Sequence, residues 1–485
     1  MQLNQLNLFH EKACIGGQWL DAQSRQTAEV INPATLEVIG SVPNMGKAEA
    51  EQAIQAAKDA WPAWKAKTAK QRSIILKKWN DLLLQHADEL AFILTSEQGK
   101  PLAEAKGEII YAASFVEWFA EEAKRTYGDV IPSPYADAQI VVTKQPVGIV
   151  AAITPWNFPA AMITRKVAPA LAAGCPCIVK PAPETPFTAL AMADLAMQAG
   201  VPGEVFSVIT GDAAQIGDAF FESNDVRKFT FTGSTPVGKL LLERSAKTLK
   251  KVSLELGGNA PFIVFDDANL EDAVSGALTA KFRNAGQTCV CVNRFLVQAG
   301  IYEQFIQRLS EKMQDFSVGN GLAGGHDIGP LINQQAVQKV QSHIQDALDK
   351  GAKLIAGGQP HAAGALFFEP TLIADVTPEM DVAAQETFGP LAAVFKFETE
   401  RQAVEMANDT DFGLASYCYT NNLGRAWRMS QQLEYGMVGI NVGIISNEVA
   451  PFGGVKHSGL GREGSKYGIE DYMEIKYTLF GGLEE

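Results

Sequence analysis

A chain of 485 residues, 47% hydrophobic and 20% charged, holds enough material for two or three domains with substantial cores. Its net charge of -14 excludes the basic footprint that a nucleic-acid partner requires. No apolar run approaches the roughly 20 residues of a membrane span, and the N-terminus lacks the apolar core of a secretory leader, so no membrane partner and a cytoplasmic location are expected.

Residues 1–46 read as loop-rich, with Gly16-Gly17, Asn32-Pro33 and Pro43-Asn44 as turns. From Lys47, Ala50, Ile54, Ala57 and Trp61 recur at helical spacing, and Pro62 is expected to kink or end that helix. One helix is expected over 71–98 and another over 103–122, after the Gly99-Lys100-Pro101 break. Residues 128–147 read as two β-segments that need a pairing partner, another subunit being one candidate.

From Gly148 the rhythm changes. Strand-like runs at 149–154, 177–180, 205–209, 228–232 and 252–255 alternate with helical stretches at 160–173, 185–199, 213–221 and 236–249. This alternation predicts a parallel sheet covered by helices, a Rossmann-like α/β unit whose ligands sit at the carboxyl ends of its strands. Thr154-Pro155-Trp156-Asn157, Lys180-Pro181-Ala182-Pro183 and Phe231-Thr232-Gly233-Ser234 fall at those ends. A second alternating region runs from about Phe262 to Pro451, and the tail over 472–478 again reads as a strand. The expected organisation is a dinucleotide-binding domain (1–127 and 148–256), a catalytic thiol domain (257–455) and a β-element for oligomerisation (128–147 and 456–485).

Six cysteines in so long a chain do not make a disulfide framework. Cys175-Pro176-Cys177 and Cys289-Val290-Cys291 have no histidine at zinc-finger spacing, so no metal site is expected. Cys289 follows the flexible Ala285-Gly286 step, and Arg283 stands six residues before it. A nearby cation favours thiolate, the form that attacks carbonyl carbon.

Two phosphate-loop patterns fail on context. Gly459-Leu460-Gly461-Arg462-Glu463-Gly464 spells G-x-G-x-x-G but has no strand before it and only about twenty residues after it, so it reads as a turn. Gly233-Ser234-Thr235-Pro236-Val237-Gly238-Lys239 nearly spells a P-loop, yet Leu240 stands where magnesium needs a hydroxyl. That argues against a phosphotransferase but leaves an anion site at a helix start. Glu255 ends a strand before Gly257-Gly258, placing a carboxylate at the ligand side of the sheet. Glu386 and Phe388, two residues apart, suit a ribose hydroxyl and a flat ring.

Together Pro155-Trp156-Asn157-Phe158, Lys180-Pro181, Phe231-Thr232-Gly233-Ser234, Glu255-Leu256-Gly257-Gly258, Gly286-Gln287-Thr288-Cys289, Glu386-Thr387-Phe388-Gly389-Pro390 and Pro451-Phe452-Gly453-Gly454 resemble the motifs of the aldehyde dehydrogenase superfamily, in order and across nearly the whole chain. The Cys-Val-Cys pair, Arg165, Arg283 and the stretch Ile445-Ser446-Asn447-Glu448 resemble its succinate-semialdehyde branch. The resemblance implies Cys289 as nucleophile, Glu255 as base, and Asn157 with the Cys289 N–H as oxyanion donors. It implies Trp156, Asn157, Lys180, Pro183, Gly233, Ser234, Leu256, Glu386 and Phe388 as cofactor-binding, and Arg165, Arg283 and Ser446 as holding a substrate carboxylate.

Related chains that prefer NAD commonly place a glutamate three residues after the ribose lysine; here that position is Pro183, leaving Lys180 unopposed. NADP is therefore the expected cofactor, with NAD weaker. The expected reaction oxidises a short carboxylate-bearing semialdehyde, succinate or glutarate, in a homotetramer or homodimer. Cys291 is expected either to pack or to act as a redox partner of Cys289. The alternatives are an aldehyde dehydrogenase of broader range using NAD, and a non-catalytic redox-sensing nucleotide-binding protein.

Overall fold

The structure is a computed structural model and describes residues 2–483. Its first large sheet has the order Gln18–Leu20, Ala13–Ile15, Phe206–Val208, Cys177–Lys180, Ile149–Ile153, Val226–Thr232, Lys251–Glu255, Gly459–Leu460. The five strands from Phe206–Val208 to Lys251–Glu255 are parallel, and the flanking pairs are antiparallel. Helices bury both faces, which is why Cys177–Lys180 is buried along its whole length instead of alternating. The Ala161–Ala173 helix is itself buried at every position.

The second sheet has the order Lys353–Ala356, Thr371–Ala374, Leu391–Phe397, Val292–Gln298, Ala260–Val264, Ala415–Tyr419, Met437–Ile440, parallel except at its first pair. Its core is separate from that of the first sheet. Asp129–Ile131, Gln139–Pro146 and the tail strand Met473–Phe480 form a third, antiparallel sheet. The partner that residues 128–147 require thus lies within the chain.

Several expectations need correction. Residues 1–46 contain four short strands: Gly16-Gly17 turns between two that extend the first sheet, while Thr27–Ile31 pairs with Val38–Pro43. Such short runs show too little alternation to be read as strands. The helix expected over 71–98 is two, Ala69–Gln85 and Ala87–Gln98, separated at His86 without any Gly or Pro to mark the break. The Lys47–Ala66 helix runs past Pro62, its end pinned by Trp61 and Trp64 donating to the Gly174 and Leu171 carbonyls. Residues 456–485 do not act as one β-element. Gly459–Leu460 closes the edge of the first sheet, and Ser465–Glu470 is helical. Among the described residues, no helix is long and apolar enough to cross a membrane.

Candidate active site

The loop before Cys289 is built on an unusual backbone. Asn284, Ala285 and Gly286 all have positive φ (51°, 55° and 76°), a left-handed turn that ordinary side chains disfavour. Side chains from three regions hold it. Gln98 Nε2 donates to Asn284 Oδ1 at 3.0 Å, and the Asn284 N–H donates to Glu104 at 2.9 Å. Gln287 Nε2 donates to the Asn284 carbonyl at 3.1 Å, and its Oε1 accepts the Ile332 N–H at 2.9 Å. Gln287 is therefore a brace of the turn. At Gly286 any Cβ would stand 2.2 Å from the Gly389 carbonyl oxygen.

The turn delivers Cys289 to a cavity of about 250 Å³ between the two large sheets. Trp156, Asn157, Gly233, Ser234, Leu256, Glu386 and Phe388 line it with Cys289, so eight of the residues singled out in the sequence meet here. Burial pushes the Cys289 thiol up to about 12, although Arg165 pulls the other way, so the resting group is a thiol. Asn157 Nδ2 donates to the Gln287 carbonyl at 3.0 Å, leaving that amide its second N–H. The Cys289 N–H takes no partner among the described residues.

Glu255 ends its strand buried, 3% exposed, but its carboxyl group is not among the cavity's lining residues. Neither oxygen has a hydrogen-bond partner, and Oε1 lies 2.9 Å from where a Cβ on Gly453 would be. Burial and the neighbouring Glu463 raise its pKa well above the ordinary carboxylate range.

Glu463 was missed in the sequence because it lies inside the G-x-G-x-x-G decoy. It is buried, forms an ion pair with Arg165 Nε at 2.9 Å and pairs with Lys166. Burial raises this carboxyl, but Lys166 and Arg165 outweigh burial and hold it ionised. Arg165 thus has one side committed to an internal ion pair, stacked 3.8 Å over the Phe452 ring, while its Nη2 has no hydrogen-bond partner.

Arg283 and Ser446 line a separate small cavity of about 10 Å³ with Thr288 and Val290, the two chain neighbours of Cys289. Arg283 also borders an open cleft of about 610 Å³ with Glu104, Lys312 and Asp315. Cys291 is buried, with Lys281 Nζ 3.4 Å from its sulfur, and both Cys289 and Cys291 are free thiols.

The dinucleotide side can be tested residue by residue. Glu386 accepts the Gly258 N–H through Oε1 at 3.1 Å, and burial pushes its carboxyl up to about 7. A Cβ on Gly257 would sit 2.9 Å from Glu386 Oε2, so the glycine is what lets this carboxylate approach. Phe388, held at φ 56°, packs edge-on to Trp156 with ring centres 5.7 Å apart. Ser234 precedes the Thr235–Ala246 helix without capping it, so the first N–H groups face outward to an anion. A ribose, a flat ring and a phosphate all find suitable partners.

Lys180 and Pro183 lie at the end of the adjacent strand and outside this cavity's lining. Lys180 is not unopposed. Burial lowers its pKa, and the carboxylates of Glu184 and Asp212 act against that. Asp212 is occupied capping the Ala213–Glu222 helix. Lys339 and Met162 also line the cavity without having been singled out. Lys339 sits on the exposed face of an amphipathic helix, where a lysine ordinarily signals only solvent.

Residues 19–478 match the model of the Aldehyde dehydrogenase family. The chain is 76% identical over 483 residues to the succinate semialdehyde dehydrogenase of Acinetobacter baylyi, covering 100% of both. It is 59% identical over 481 residues to the Escherichia coli protein named succinate-semialdehyde dehydrogenase, NADP(+), covering 99% of this chain and 100% of that one. The crystal structure of succinate-semialdehyde dehydrogenase from Burkholderia pseudomallei matches with a TM-score of 0.97 at 60% identity, covering 98% of each chain. A thiol on a strained turn, amide donors beside it and a cavity in front of it belong, with these relatives, to one lineage: the chain is a member of the aldehyde dehydrogenase family.

Proposed function

We propose that this enzyme oxidises succinate semialdehyde to succinate with NADP. The observation that carries the reading is the position of Cys289. It faces the larger cavity lined by Glu386, Phe388 and Trp156, while its neighbours Thr288 and Val290 border the pocket holding Arg283 and Ser446. A carbonyl at the sulfur with a carboxylate directed toward the two arginines, Arg283 and Arg165, describes a short semialdehyde. Glutarate semialdehyde, one methylene longer, is discriminated by only about 1–3 kcal/mol and should be a poorer substrate.

In this mechanism the Cys289 sulfur attacks the aldehyde carbon, its proton passing to solvent in the cavity as the bond forms. The free Asn157 N–H and the Cys289 N–H receive the oxyanion of the thiohemiacetal. Glu386, Phe388, Trp156, Ser234 and Leu256 would hold the dinucleotide, which supplies the hydride acceptor that leaves a thioester on Cys289. Glu255, once its own proton has passed to solvent, then swings from Gly453 toward the thioester, no hydrogen bond holding it back, and takes a proton from the hydrolytic water. Pro183 places no carboxylate opposite a 2′-phosphate, and the nearby Lys180 offers it an ammonium that Glu184 and Asp212 help keep charged.

The two large sheets support the assignment of a cofactor domain on the N-terminal side of residue 256 and a thiol domain after it. The third sheet supports a homo-oligomer, a dimer or tetramer. Six free thiols fit a reducing, cytoplasmic compartment.

The test is a panel of aldehydes assayed against both nucleotides by reduced-nicotinamide absorbance. Succinate semialdehyde with NADP should give the highest kcat/KM. A preference for NAD of more than about tenfold overturns the cofactor assignment, and equal turnover of butanal overturns the carboxylate.

A further inference from the structure

Tyr111 lies on the Leu102–Glu122 helix, and its hydroxyl is shut off from solvent yet has no hydrogen-bond partner. A buried phenol normally finds an acceptor, so an orphan one awaits a group absent from the free chain. The position is informative. The Tyr111 ring packs edge-on against Phe115 at 5.0 Å, and the Arg165 guanidinium lies 5.7 Å from that same Phe115 ring. Ser114, one turn along, donates to the Tyr111 carbonyl at 2.8 Å and to Glu448 at 3.3 Å, tying this helix to the loop that carries Ser446. Arg165 Nη2 is a second buried donor in this neighbourhood without a hydrogen-bond partner.

We infer that the Tyr111 hydroxyl and Arg165 Nη2 together form a donor pair for the substrate's carboxylate, with Tyr111 a specificity residue that touches it directly. This rests on the carboxylate reading proposed above. The Tyr111 hydroxyl and the Arg165 guanidinium, whose Nε and Nη2 both lack a hydrogen-bond acceptor although Glu463 balances the charge from 2.9 Å, match the two oxygens of one carboxylate. Arg165, Arg283 and Cys289 are the groups whose charges act most on Tyr111, as expected at the aldehyde side of the thiol. Burial raises the phenol's pKa, which keeps it protonated and able to donate.

Tyr111→Phe removes one oxygen and tests this. With saturating NADP, KM for succinate semialdehyde should rise about tenfold, equivalent to about 1.4 kcal/mol, with kcat held within about twofold. KM for butanal should stay unchanged. The melting temperature should hold or rise, because the lost hydroxyl had no partner to leave behind. An unchanged KM for succinate semialdehyde, or an equal rise for both aldehydes, overturns the assignment. Arg283→Leu separates this from the parent reading. A carboxylate-selective rise in Arg283→Leu with a flat Tyr111→Phe sinks Tyr111 alone, while a wild-type enzyme that accepts butanal equally well sinks both.

Discussion

Cys289 begins as a thiol in a cavity that disfavours charge, with Arg165 as the cation that most opposes burial. The raised group is an acid whose charged form is the reactive one, so reactivity must grow as pH rises toward about 12. Alkylation of the nucleotide-free enzyme by iodoacetamide should therefore climb about tenfold per pH unit between about pH 7 and pH 9, without a plateau. A plateau beginning near neutrality would show a thiolate already formed. Arg165→Met removes the opposing cation and should slow alkylation further, several-fold at about pH 8. The cysteine, the strand-end carboxylate and the amide were legible in the sequence because reactive residues sit in short motifs beside glycines. Glu463 was not, because the charge that Arg165 needs comes from a residue almost 300 positions away, through folding alone.

At the scale of single elements, the left-handed turn at Asn284–Gly286 does the most to place the sulfur. Asn284 and Ala285 in that region cost on the order of 1–3 kcal/mol each, Gly286 being free to adopt it, and the bonds from Gln98, Glu104 and Gln287 offset that strain. Gly286→Ala forces a Cβ to within 2.2 Å of the Gly389 carbonyl, so the turn must shift. The variant should lose about 2–4 kcal/mol of stability by thermal melting and most of its activity, while still binding the nucleotide. The Ala-Gly step reads as flexibility in the sequence, whereas in the fold it is a fixed shape. Periodicity revealed the long helices and parallel strands, since burial on both faces leaves continuous apolar runs. It failed at His86, where the chain changes direction with ordinary residues, and in the short strands before Lys47.

The whole molecule leaves one sheet incompletely covered. Cross-strand partners share a face, and the register puts Ile131, Ile140 and Leu479 in one row, Val142 with Tyr477 and Asp129 in the next, and Ile475 beside Lys144 in the third. Ile475 is 73% exposed and Tyr477 60% exposed, so this apolar face has no cover within the described chain. A second copy is the cover we propose. Ile475→Lys combined with Tyr477→Lys should lower the mass measured by light scattering to that of a smaller assembly, and an unchanged mass would place the interface elsewhere. The opposite surface of that sheet carries Glu474, Lys476 and Thr478 together with the exposed Val130 and Phe480.

Because the sulfur stands in a partition, with the nucleotide's compartment ahead and the Arg283 pocket on the flank, traffic need not share a single doorway. Arg283 borders both that small pocket, of about 10 Å³, and the open cleft of about 610 Å³, so movement of this one side chain would join them and give the acid an exit separate from the nucleotide's.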